Sequence, residues 1–100
     1  MRLGRIRGTI VSTVKSSGLA SYKLLLVSDV DPAEPEGAVD SGRPYVAIDL
    51  IGAGDGEVVL VAHGSAARIQ DGCQAVPTDA AVVGIVDSVQ LGSETTFNKH

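Results

Sequence analysis

Asp49-Leu50-Ile51-Gly52-Ala53-Gly54-Asp55-Gly56-Glu57 places three alternating glycines between two apolar runs. Tyr45 to Ile51 reads as a strand, and Glu57 to His63, centred on Val58 to Val61, reads as the next. The glycines therefore make a tight connection between strands. Glycine turns a chain sharply because it accepts positive φ without a Cβ clash. A dinucleotide fingerprint instead needs its glycines between a strand and a helix, whose N-terminus binds the pyrophosphate. Here β-branched residues follow Glu57 with no helical period, the spacing departs from the fingerprint, and no P-loop lysine follows. The stretch is a structural turn, and no cofactor is implied.

Strand signals extend outward from this turn. Leu3 to Thr13 is rich in β-branched residues, with Arg5, Arg7 and Thr9 on one face by the two-residue period. Tyr22 to Ser28 carries Leu24-Leu25-Leu26-Val27 at its centre. Between them, Lys15 to Ser21 is a polar loop, and Asp29 to Arg43, with its Asp, Glu, Pro and Gly, reads as a long solvated acidic loop. Gly64 to Ile69 predicts one helical turn with Ser65 as N-cap. Gln70 to Thr78 is irregular, and Ala80 to Val89 is a last strand, with a short helix over 79–83 as the competing reading. The domain spans 1–90, and residues 91–100 form a polar C-terminal tail expected to fray. Five strands and one helical turn predict an all-β fold, a small five-stranded OB-like barrel. A sandwich is the alternative.

Composition narrows the function. The chain has 100 residues, 44% hydrophobic but only 3% aromatic, so one modest core must be built from Val, Leu, Ile and Ala. A formal net charge of −4 opposes nucleic-acid and anionic-membrane binding, and Tyr22, Tyr45 and Phe97 are few for base stacking. No stretch approaches the roughly 20 apolar residues that span a bilayer, and the basic N-terminus lacks the apolar segment of a secretory signal. A single cysteine, Cys73, excludes an internal disulfide and points to a reducing cytoplasm. His63, Cys73 and His100 lack paired metal-ligand spacing, and nothing orients His63 onto Ser65 as a base. Neither a metal site nor catalysis is indicated.

Three strands are apolar on both faces. Val58 to Ala62, Leu24 to Val27 and Ala80 to Val83 show no alternation, although only every second residue of a barrel strand points inward. No amphipathic helix is long enough to cover the outer set. Further copies of the chain are the economical cover, and Val59, Val61 and Val82 are the expected subunit contacts.

Three segments also resemble a known family as a set. They are Gly52 to Val61, then Gly64-Ser65-Ala66-Ala67-Arg68, then Pro77-Thr78-Asp79 through Val89, preceded in order by Arg5 to Val11 and Lys23 to Val27. The pattern is similar to the EutN/CcmL family of bacterial microcompartment vertex proteins over residues 1 to about 90. The resemblance implies an OB-like barrel assembling as a homopentamer that caps the vertices of an icosahedral shell within the cytoplasm, a structural role and not an enzyme. It implies hexameric and pseudohexameric shell proteins as partners, and a shell-partner interface at Gly52, Gly54, Gly56, Glu57, Ile85, Asp87 and Val89. Unpaired amides and carbonyls of the turn, and the Glu57 and Asp87 carboxylates, are expected to bond across that seam. The competing reading is an OB-type binding module for nucleic acid or a small ligand.

Overall fold

The computed structural model describes residues 1–11, 23–35, 43–64 and 79–99. The strands are β1 (Arg2–Ile10), β2 (Lys23–Asp29), β3 (Tyr45–Asp49), β4 (Val58–His63), β5 (Ala80–Ile85), β6 (Ser88–Leu91) and β7 (Glu94–Asn98). The first five close into a barrel in the order β1-β2-β3-β5-β4, while β6 and β7 pair as a separate hairpin. All barrel pairings are antiparallel except β3 with β5. Closure removes the unpaired edges that so small a sheet would otherwise present. The strand reading of 80–85 prevails over the helical one. The helical turn expected over 64–69 lies, apart from Gly64, outside the described residues, as do Tyr22, Ser65 and Cys73.

Inside the barrel, Ile6, Leu25, Val27, Ala47, Val59, Val61 and Val82 form the main core, with Tyr45 and Ile85 packed against it. Register explains the set. Val61 pairs with Val82, Leu25 with Ala47, and Ile6 with Val27. The outer face carries a second apolar row, Leu24–Ile48–Ala81–Ala62, across four strands, and Ile48, Ala62 and Ala81 are buried there. The sheet is thus apolar on both faces, as expected. Its parity is reversed, because Val59, Val61 and Val82 point inward and are 0% exposed.

The C-terminal segment departs from the polar, fraying tail. The expected strand over 80–89 breaks at Val86–Asp87, and the chain then forms the β6–β7 hairpin, which turns at Gly92. Phe97 anchors it by packing with Val30 and Val58, joined by Leu3, Val86 and Val89. Thr96 Oγ1 donates to the Pro32 carbonyl at 2.6 Å, and Lys99 N–H donates to the Asp87 carbonyl at 2.8 Å. The first part of the acidic loop is also docked. Pro35 is buried, its carbonyl accepts from Arg5 Nη2, and Val30 N–H donates to Leu3 O at 3.1 Å.

Val61→Asp buries an unpaired charge inside the barrel, so the purified chain is expected to be unfolded by circular dichroism rather than merely monomeric. A folded Val61→Asp monomer would contradict the inward parity. Phe97→Ala is expected to cost about 3 kcal/mol and to speed hydrogen exchange over 88–98 ahead of the barrel strands. Unchanged exchange there would show that the hairpin does not depend on this anchor.

Candidate partner-docking site

Asp49 ends β3 with its carboxylate buried, and it organises the turn that follows. Its Oδ1 accepts the N–H groups of Ile51, Gly52 and Ala53 at 3.1, 3.0 and 3.2 Å. This is the Asx geometry by which an aspartate folds its own downstream backbone. Lys23 on the neighbouring strand supports it, with Nζ 3.6 Å from Asp49 Oδ2 and 3.2 Å from the Ala53 carbonyl it donates to. Gly52 and Gly56 then take φ of +79° and +85°, where a Cβ would clash with the backbone.

Glu57 closes the far side. Its Oε1 accepts the Gly54 N–H at 2.6 Å, its own N–H donates to Gly54 O at 3.2 Å, and its Oε2 lies 3.0 Å from Lys99 Nζ. The Gly54 N–H, and after it the Lys99 ammonium, hold the Glu57 carboxyl below its ordinary value. Gly56 N–H donates to Ile6 O at 2.9 Å, and Ile6 N–H donates to Glu57 O at 3.0 Å. The amides of 51–54, 56 and 57 are therefore satisfied within the chain. Most of the turn's amides are therefore not available to a partner, and among the described residues the Asp55 N–H is the amide of 51–57 left without one. Glu57 has one partner on each carboxylate oxygen, Gly54 N–H on Oε1 and Lys99 Nζ on Oε2, and each oxygen keeps a further lone pair.

The second expected segment lies alongside. Ile85 pairs with Val59, Val86 N–H donates to Val58 O at 2.9 Å, and Asp87 is exposed. Lys99 joins the two segments, since its N–H reaches the Asp87 carbonyl and its ammonium reaches Glu57. Of the expected residues, Gly56, Glu57 and Ile85 line one hollow, Lys99 ties it to Asp87, and Val89 lies in the hairpin strand that starts at Ser88. Val59, Val61 and Val82 do not join any surface. As subunit contacts they are corrected by their burial within a single chain, and the outward residues of these strands are Val58, Leu60, Ala62, Ala81 and Val83.

Other polar residues gather around Tyr45. Its hydroxyl donates to Asp29 Oδ1 at 3.0 Å, Arg2 Nη1 bonds Asp29 Oδ2 at 3.0 Å, and the His63 ring lies 5.2 Å from the Tyr45 ring. Burial, then donation to Asp29, pushes the Tyr45 phenol up, while burial and then Arg2 push the His63 imidazole down. Among the described residues no group of three His, Cys, Asp or Glu side chains is placed to hold a metal.

Residues 1–87 match the family described as Ethanolamine utilisation protein EutN/carboxysome. The chain belongs to the EutN/CcmL family. Among its relatives, the bacterial microcompartment shell vertex protein EutN of Escherichia coli K12 is 46% identical, covering 99% of this chain and all of that protein. The carboxysome shell vertex protein CcmL of Synechocystis sp. PCC 6803 is 45% identical, covering 99% of this chain and 95% of the relative. The solved structure of GrpN, a pentameric microcompartment shell protein from Rhodospirillum rubrum, superposes with a TM-score of 0.75 at 43% identity, covering 91% of this chain and all of that one. The barrel and the glycine turn are thus features of an EutN/CcmL chain.

Asp49→Ala is expected to destabilise the protein by about 3 kcal/mol through three orphaned N–H groups, and Asp49→Asn by less because an acceptor remains. Gly56→Ala is expected to cost about 1–2 kcal/mol and Gly54→Ala less, because Gly54 has no positive φ and its added Cβ would meet Glu57 Oε1 at an ordinary 3.4 Å. Equal losses at Gly54 and Gly56 in a denaturant titration would contradict this. The depressed Glu57 carboxyl contributes its stability above the ordinary value of 4.5, and that contribution is lost as pH falls below it. Glu57→Gln should flatten that part of the thermal stability profile; an unaltered acid slope would show that the links to Gly54 and Lys99 do not stabilise the fold.

Proposed function

We propose that this chain is a non-catalytic vertex protein of a bacterial microcompartment shell, assembling as a homopentamer in the cytoplasm. The observation that carries the self-assembly is the outer surface of the barrel. Leu26 and Val46 pair on the outer side of β2 and β3, and Val46 is 47% exposed. Leu3 and Leu60 pair on the outer side of β1 and β4. A ring is built from heterologous contacts, in which two different patches of each subunit meet. Two apolar patches on separate seams of one barrel suit that symmetry. Family membership and the pentameric GrpN relative support the ring size.

The vertex role follows from geometry. Six-fold tiles lie flat, so a closed shell needs five-fold units to introduce curvature. The glycine turn and the 85–89 segment, held together by Lys99, form the surface proposed to meet hexameric and pseudohexameric tiles, with Gly52, Gly54, Gly56, Glu57, Ile85, Asp87 and Val89 as its frame. Glu57 shapes the turn through Gly54 and Lys99, and its remaining lone pairs face the tile as acceptors.

Producing the tile proteins of one shell with and without this chain tests the role. Electron microscopy is expected to show closed polyhedra with it, and open sheets or tubes without it; identical closed shells in both would contradict the vertex reading. Val46→Asp tests the patch, because Val46 is exposed in the single chain and should fold when charged. The variant is expected to run below the wild-type mass on a sizing column, and an unchanged mass would remove Leu26 and Val46 from the subunit contact.

A further inference from the structure

Between the glycine turn and the end of β7 lies a small cavity of about 280 Å³. Its floor is apolar, formed by Val58, Ile85, Val86 and Phe97, and its rim carries Asp55, Glu57 and Lys99. The volume falls just below the roughly 300–1,000 Å³ of pockets that enclose drug-sized ligands, so it suits a single protein side chain. We propose that this cavity receives one arginine side chain from the neighbouring shell tile, a proposal that rests on the docking surface assigned above.

Charge and shape select that residue. Lys99 is engaged by Glu57 Oε2 at 3.0 Å, and Glu57 Oε1 is engaged by Gly54. Asp55 is exposed and makes no ion pair or hydrogen bond among the described residues, so it is the free carboxylate of the rim. The occupant must therefore carry a positive head on an apolar stem. Arginine and lysine both bury their stems and keep the charge in water. Arginine also forks two N–H donors onto one carboxylate, where lysine makes a point contact, and the exposed Asp55 is that carboxylate. An acidic side chain would gain only a lysine already paired, and would face Asp55. A purely apolar one would leave Asp55 beside a dry contact.

Two measurements on the assembled full chain test the proposal. In the first, N-acetyl-arginine amide is titrated while the amide NMR signals of Asp55, Gly56 and Phe97 are followed. Binding about ten-fold tighter than for N-acetyl-norleucine amide is expected, with Asp55→Asn reducing arginine to the norleucine level. Equal binding of the two probes overturns the proposal. In the second, capture of the tile by wild type and by Asp55→Arg is compared. The charge reversal is expected to weaken capture about ten-fold, with the ring mass unchanged because Asp55 lies on an exposed turn. Tile captured equally well by both overturns the arginine cavity while leaving the docking surface intact. A wild-type ring that captures no tile overturns the docking surface and the cavity with it.

Discussion

A buried carboxylate with three backbone N–H groups directed at one of its oxygens is the constraint on which the rest of the proposed docking surface depends. Asp49 stops β3, folds residues 51–53 around itself, and leans on Lys23 of the adjacent strand. Once those amides are committed, the chain reverses through Gly52 and Gly56 at positive φ and re-enters the sheet at Val58. Glu57 repeats the device from the other side, using one oxygen for Gly54 and the other for Lys99. The outcome is a turn in which the amides of 51–54, 56 and 57 are bonded within the chain. Such a turn is stiff, and stiffness reduces the ordering cost of docking against a partner.

The C-terminal hairpin gains its place through the same turn. Lys99 reaches Glu57 with its side chain and Asp87 with its backbone, so the last strand ties the turn to the segment that leaves β5. Phe97 meanwhile fills the space over Val58 and Val30. One aromatic residue and one lysine thus turn a polar C-terminal stretch into part of the framework.

Much of this was legible in the sequence, for identifiable reasons. The strand–glycine–strand order around Gly52 to Gly56 announces a turn because β-branched residues resume at once after Glu57. The EutN/CcmL pattern is carried by the same residues. What the sequence hid is parity. In Val58-Val59-Leu60-Val61-Ala62 every residue is apolar, so the two-residue period carries no signal and nothing distinguishes Val59 and Val61, which face inward, from Leu60, which faces out. The bulge between Leu60 and Val61 in the pairing with β5 perturbs the count further. The hairpin was hidden because Thr95, Thr96 and Asn98 read as polar tail while Phe97 alone carries the burial. The partners of Glu57 were hidden because Lys99 lies far along the chain, and only folding brings the two together.

The central claim is that outward apolar patches on two seams of one barrel close a five-membered ring, and the solution mass tests it most directly. Light scattering on a sizing column is predicted to give five chains of 10.2 kDa, about 51 kDa, independent of loading concentration. A stable species of 10.2 kDa would mean that Leu26, Val46, Leu3 and Leu60 face water, and would contradict the account.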